Sequence, residues 1–542
     1  MADLRALRAS RHGSTSVRIR RIVLAVALVL WGVALGAGLG SRPVHGVTVG
    51  SEAELRSAFG DPSETEVVLS VDVSLTDCSS GALTRPAGSG PMLVEGGGFT
   101  LTQTCPGERV ITNDGGELEL RNLTVTGGTL DAGDDEAFGG GVFSAGTLRL
   151  ITAVVSDNRA DGQLGGAGGG VATTGALVID RSVVEGNLAA GGRSVFGGRG
   201  GGVYAEGRTE IVDSAIADNT AGGAPGAGGS GGGVFVNNDV ILRRSTIARN
   251  TAAAGSAGDG GAFGGVVANG GLQAINSTVH ANTAVGTRSQ HGGLNAAGEL
   301  ALVYSAVTAN SAESGSANVV FKRGDRSTAS VVSEALGGAA SCSAAVGVSG
   351  GYNFADDTSC GFVAATDREG AGDPGLGDLG VDIGPTPVRV PSSDGPLVDA
   401  IPAADCVIGD AAAITTDQQG TARPQNDACD IGPVELMAMV PPSTEPTVPP
   451  TEPTAPPTEP TVTPTDPSTT GASTMPTTTT PAPTNPSIPQ TTPSTSPIAG
   501  PDPSGPLPGT GTTVAIILVI AAGLIAVGVM VRRRSVRPAS EN

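Results

Sequence analysis

Few residues in this 542-residue chain combine the type and spacing needed for chemistry. Asp131, Asp134, Asp135 and Glu136 form one acidic run and Asp356-Asp357 another; hard oxygen ligands of this kind suit a cation, but a solvated acidic loop explains them as well. His280 and His291 have no flanking catalytic pattern and are expected at the surface. Cys78, Cys105, Cys342, Cys360, Cys406 and Cys429 fall into three sequence-neighbouring pairs; zinc would want tighter spacing and histidines, so disulfides are expected. Of fifteen connectivities, neighbour pairing gives Cys78–Cys105, Cys342–Cys360 and Cys406–Cys429. Glycine runs such as Gly197-Gly198-Arg199-Gly200-Gly201-Gly202 precede no helical pattern, so they are not phosphate-binding loops. No catalytic residue, metal site or cofactor is assigned.

The elements that carry these residues repeat. Val142, Val171, Val203, Val234, Val266 and Leu294 each follow a glycine-rich stretch, and 16 positions later stand Asn158, Asn187, Asn219, Asn250, Asn282 and Asn310. Successive units lie 29, 32, 31, 32 and 28 residues apart, so a 17-residue core is constant and the glycine-rich loop varies. Within each core, apolar residues alternate at period two (Leu148/Leu150, Leu177/Ile179, Val240/Leu242), as in short half-buried strands. Leu118, Leu120 and Val125 suggest an earlier, less regular coil. A period near 30 with short strands predicts an all-β solenoid whose coils bury their apolar faces on one another. The asparagines then read as a ladder, for two reasons: they tolerate a left-handed turn, and their amides can bond to the asparagines above and below. Ser51 to Glu54 has capping-box spacing ahead of Leu55 and Phe59, which predicts a short helix over the first coil.

This pattern resembles right-handed parallel β-helix proteins of the pectin-lyase-like fold, including surface proteins with GGG-V and S-x-[VI]-x-x-N coils. The resemblance covers residues 47–437. Within 341–437, Asp417-Gln418, Gly420, Arg423-Pro424-Gln425 and Cys429-Asp430-Ile431-Gly432 look like the choice-of-anchor Q domain that ends such helices, and are expected to form terminal coils and a cap. Enzymes on this scaffold act on polysaccharides; Trp31, the single tryptophan, lies in the N-terminal segment, which counts against a sugar-stacking hydrolase but not against a lyase.

The two ends specify an address. Six arginines from Arg5 to Arg21 precede an apolar run from Ile22 to Leu39, so residues 1–46 read as a secretory signal peptide. Residues 438–506 are a Pro/Thr-rich stalk in which proline forbids a helix; its exposed part, fully extended, reaches about 200 Å. Leu507, Pro508, Gly509, Thr510 and Gly511 are followed by an apolar transmembrane segment at 514–531 and by a basic tail at 532–542. That order resembles the LPxTG sorting signal of Gram-positive sortase substrates. The resemblance implies cleavage at Thr510–Gly511, transfer of the Thr510 carbonyl to peptidoglycan, and a transient single-pass membrane intermediate. Lys322 is the one lysine among 31 basic residues, which suits a GC-rich, actinobacterial source and disfavours a lysine-linked pilus shaft. Setting aside net charges of +6 on residues 1–46 and +3 on 532–542 takes the net charge from −21 to −30, an acidic surface that repels nucleic acid. The expectation is a secreted, cell-wall display protein, an adhesin or structural envelope component with a glycan or protein as its surface ligand. A surface polysaccharide lyase or glycoside hydrolase is the alternative.

Overall fold

The computed structural model describes residues 46–437, except 194–195, 257–259, 337–338, 381–385, 407–413 and 426. These residues form a parallel β-solenoid. Three long parallel sheets of 12, 11 and 10 strands run its length, joined by a narrower 7-stranded sheet. One coil shows the plan: Val142–Ser144 lies in the third sheet, Leu148–Ile151 in the first, Val154–Ser156 in the second and Arg159–Asp161 in the narrow fourth.

Register is strict because the repeat is strict. Leu118, Leu148, Leu177, Thr209, Val240, Leu272 and Leu300 pair in one column of the first sheet, all fully buried or nearly so. Val125, Val155, Val184, Ile216, Ile247, Val279 and Val307 do the same in the second. A slip of one residue would turn each column to solvent. Each Leu, Ile or Val in these columns contributes roughly 1.5–3 kcal/mol by burial. The solenoid also begins earlier than the residue pattern around Leu118 shows. Val47–Val49, Glu66–Leu69 and Met92–Glu95 are already rungs of the first sheet, although they lack the glycine run and the asparagine.

The asparagines form a continuous ladder. Each backbone N–H and each Nδ2 donates to Oδ1 of the next asparagine, at 2.9–3.0 Å from Asn158 through Asn310. Asn310 then donates to Asn318, which the repeat spacing did not mark. One expected reason is corrected: the left-handed backbone belongs to the residue before each asparagine (Asp157, Gly186, Asp218, Arg249, Ala281 and Ala309, φ 54–63°), not to the asparagine itself. The asparagine amide instead satisfies the backbone that this turn exposes, which offsets roughly 1–2 kcal/mol of strain per non-glycine turn.

A second ladder accompanies it. Ser182, Ser214, Ser245, Ser277 and Ser305 stand five residues before their asparagines; each Oγ donates to the carbonyl two residues back and accepts the backbone N–H of the preceding rung.

Glycine closes the coil where backbones touch. A Cβ on Gly201 would lie 2.3 Å from the Gly232 carbonyl oxygen and 2.4 Å from the Thr220 carbonyl carbon, so no other residue lets the fourth sheet approach.

The expected N-terminal helix is Glu52–Gly60, with Ser51 accepting from the Glu54 N–H at 3.3 Å and Leu55 and Phe59 buried on the first coil. Arg85, fully buried, clamps its C-terminal end through the carbonyls of Phe59, Asp61 and Glu64. The disulfides are Cys78–Cys105, Cys342–Cys360 and Cys406–Cys429. The second closes the far end, where Phe362 packs edge-on against Phe321.

The C-terminal residues do more than cap the last coil. Phe354–Ala355 is the last strand of the second sheet and Arg368 adds one parallel bridge to it; the chain then leaves the solenoid, and residues 386–406, 414–425 and 427–437 turn back along the outside of the second sheet. Among the described residues no helix is long and apolar enough to cross a membrane, and segment 514–531 lies outside them.

Candidate functional site

Opposite charges meet at three places along the outward face of the first sheet, between rungs whose other outward side chains are mostly apolar or neutral, such as Val178, Ile241 and Ala301. Glu119 faces Arg149 at 3.3 Å, Glu210 faces Arg243 at 3.6 Å and Glu299 faces Arg326 at 3.1 Å. Glu119 is half-buried and the others are exposed, so each pair contributes at most about 1 kcal/mol. Their effect is to leave a long face with little local net charge despite the acidic composition.

A cleft of about 300 Å³ opens where this face meets the turns entering it, lined by Arg208, Asp239, Ile241, Gln273, Glu299 and Ala301. Two carboxylates and a guanidinium are the composition of an acid–base site on sugars. The carboxylates, however, already serve the fold. Asp239 Oδ1 accepts the Gly271 N–H at 2.7 Å and Glu299 holds Arg326. The cleft can therefore orient a polar ligand through Arg208 and Gln273 more readily than it can move a proton.

Of the acidic residues singled out from the sequence, Asp134 and Asp135 are exposed and the other four are engaged. Glu136 pairs with Arg199, whose guanidinium lies 5.0 Å from the Tyr204 ring centroid, and Asp131 lies 3.7 Å from Arg193. Asp356 accepts the Glu334 N–H and Asp357 the Ser341 N–H, so both tie their segment to the preceding coil. Among the described residues no three His, Cys, Asp or Glu side chains group to hold a metal. Phe143, Tyr204 and Phe235 share one column of the third sheet, each next to the first valine of its repeat, and Phe138 joins them from a neighbouring short sheet, with centroids 5.7–6.4 Å apart; the repeat was read from its inward positions alone, which left this row unmarked.

The histidines are not loosely exposed loop residues, which corrects the sequence expectation. His280 ends the strand Thr278–His280, paired between Ala248 and Thr308 and half-buried, with Nδ1 3.2 Å from Thr308 Oγ1. His291 stacks on Phe263 and contacts Ser316 at 2.8 Å. Burial, helped by the nearby Arg389 charge, lowers the His280 pKa from 6.5 to about 4. The neutral ring is thus favoured in the fold, and its stabilisation is present above pH 6.5 and lost as pH falls through about 4. His280→Gln should reduce the stability lost between pH 7 and 4.5 by on the order of 1–2 kcal/mol, after discounting for solvent. Urea unfolding at both pH values measures this; equal losses in both proteins would refute it.

The most developed polar cluster joins the C-terminal residues to one another. Arg423, 8 % exposed, donates to Glu435 at 2.8 Å and to the Asp430 and Gly432 carbonyls, and lies 4.2 Å from the Tyr304 ring centroid. Asp417 accepts the backbone N–H groups of Gln419, Thr421 and Glu435. Burial pushes the Glu435 and Asp430 carboxyls above their ordinary range, with Arg423 pulling against it. Of the residues quoted for the terminal-domain resemblance, Asp417, Arg423, Asp430 and Gly432 thus meet in one buried network, to which Glu435 is an addition, whereas Gln418 bonds to Thr246 and Thr278 and Gly420 and Pro424 are exposed. Apart from Arg423 Nε, which is buried without a hydrogen-bond partner, the groups of this cluster bond to one another, which is the arrangement of a structural lock.

Leu507, Pro508, Gly509, Thr510 and Gly511 lie outside the described residues. No family model, curated protein or solved structure matches this chain.

Proposed function

We propose that this chain is a cell-wall-anchored surface display protein. It is exported through residues 1–46 and processed by a sortase at Thr510–Gly511, and it carries its β-solenoid on a Pro/Thr-rich stalk as an adhesin or as a binding or structural component of the envelope. The observation that carries the reading is the order of Leu507-Pro508-Gly509-Thr510-Gly511, an apolar run and Arg532-Arg533-Arg534. Two structural features support it. All six cysteines are joined in disulfides, the state that persists outside the cytoplasm. The solenoid offers a long, regular, charge-compensated flank suited to display. The choice-of-anchor-Q-like residues Asp417, Arg423, Asp430 and Gly432, buried in a lock ahead of the stalk, fit the same reading. The cleft at Arg208, Asp239 and Glu299 favours a second reading, a glycan-cleaving surface enzyme. It ranks lower because its carboxylates are occupied structurally.

Cell fractionation tests the proposal. Wild-type protein is expected to be released by muramidase digestion of the wall, and Thr510→Ala protein to be lost to membrane or medium. Extraction of both by detergent alone would overturn it.

A further inference from the structure

We propose that residues 386–406, 414–425 and 427–437 form a load-bearing strap, which transfers traction on the C-terminal side of the chain to the middle of the solenoid instead of to its last rung. The idea that such traction arises in the cell rests on the wall-anchoring reading; the mechanical behaviour does not.

Three observations carry it. The first is reach. Thr386 Oγ1 donates to the Arg244 carbonyl at 3.2 Å, and Thr246 Oγ1 donates to the Pro387 carbonyl at 2.6 Å. Gln418 bridges two rungs, donating to Thr246 Oγ1 and accepting from Thr278 Oγ1, both at 2.8 Å. Asn276 Nδ2 donates to the Thr416 carbonyl at 2.7 Å, and Arg389 pairs with Glu334. Thr246, Thr278, Ala306, Val331 and Phe354 occupy successive rungs of the second sheet. The strap therefore grips five rungs at once.

The second observation is adhesion. Leu397, Ile401 and Ile431 pack with Tyr304, Ala306, Ala329, Val331 and Phe354 in a cluster separate from the main core. Tyr304 Oη donates to the Cys406 carbonyl at 2.8 Å, and the Gly432 N–H donates to the Ala329 carbonyl at 2.9 Å. The Cys406–Cys429 disulfide ties two of the strap's segments together.

The third is the place where the described chain ends. Val434, Leu436 and Met437 share a cavity of about 250 Å³ with Val388, Val390, Asp417 and Thr421. These neighbours belong to the strap where it crosses the Thr246–Thr308 rungs. The described chain thus ends at Met437 on the flank and not at the last rung.

The mechanics follow from how bonds share load. The last rung of a parallel solenoid is hydrogen-bonded on one side only, so traction applied to it opens bonds one after another. A strap lying across several rungs loads its contacts together, and rupture requires many to fail in one event.

Optical-tweezers pulling of the full chain in detergent, with one handle on Leu164→Cys, an exposed turn position between rungs bonded on both sides, tests this by moving the other handle. In one arm it is at the C-terminus. In the other it is on Val363→Cys, an 86 % exposed position that follows the last rung and precedes the strap. Both arms start from the same strap and the same rungs. Pulling at the C-terminus is expected to need at least twice the force for first rupture and to release several rungs together. Pulling at position 363 is expected to peel rungs singly, in steps of about 25 residues, or roughly 80 Å of extended chain each, with the first step shortened by the Cys342–Cys360 disulfide. First rupture at equal or lower force from the C-terminus would overturn the strap. That outcome leaves the fractionation result untouched, and failure of sorting would leave the tweezers result untouched.

Discussion

Arg423→Ala should free the strap from the solenoid while the N-terminal coils stay folded. The guanidinium is buried, donates to one carboxylate and two carbonyls, and covers the Tyr304 ring. Removing it leaves Glu435 as a buried carboxylate whose remaining partners are the N–H groups of Gln425 and Asp430. Breaking a buried pair from one side costs about 3–5 kcal/mol. Burial lowers the Arg423 pKa and raises that of Glu435, so the pair itself is only partly compensated for desolvation. Arg423→Met with Glu435→Leu should therefore lose less than the two single changes added together, although the two orphaned N–H groups keep it below wild type. Hydrogen exchange resolves the effect by region. Amides of Ile401, Ile431 and Gly432 should lose protection about 100-fold or more, while those near Val155 and Val184 stay protected. Uniform loss along the chain, or no loss in the strap, would refute a local lock.

Asn219→Ala is expected to be comparably damaging, and its effect should appear in the solenoid instead. Asn219 Oδ1 accepts both the backbone N–H and Nδ2 of Asn187, and its own Nδ2 donates to Val184 O, Ala217 O and Asn250 Oδ1. Truncation leaves several buried partners unsatisfied, each costing about 1–3 kcal/mol. Allowing for relaxation, a loss on the order of 3–5 kcal/mol is expected. Because each coil contacts only its neighbours, the break should split the unfolding transition. Asn219→Asp sharpens the test. It keeps shape and one acceptor, but it turns an oxygen toward the Val184 and Ala217 carbonyls, so the folded state favours the protonated acid. A raised folded pKa places the stabilisation below about pH 3.9 and removes it as pH rises through the folded value. The Asp variant should thus approach wild type in acid and fall toward the Ala variant at pH 7. A loss below 1 kcal/mol for Ala, or a pH-independent Asp variant, would count against the ladder as a source of stability.

Much of this was legible from the residues. Strand alternation, the 16-residue offset from valine to asparagine and the N-terminal helix are read locally, because every coil places like residues in like surroundings. The serine ladder had an equally plain signal, serine five residues before each asparagine, but lacked an assigned role until the hydrogen bonds gave one. Rungs before Leu118 fell within the expected solenoid only through the resemblance over residues 47–437, because they carry the fold without glycine run or asparagine. His280 was misjudged because burial at position 280 depends on what lies over the strand.

The sequence by itself determined the parallel coils, their register and the ladder positions, since these follow from a period repeated along the chain. It also supplied everything on which the anchoring proposal rests. Only the tertiary structure decided which flank the last residues cover. The contacts of Thr246 with Pro387 and of Thr278 with Gln418 span about 140 residues of sequence. A segment without period carries no local mark of its distant partner, and specific hydrogen bonds, not repetition, select the place where it docks.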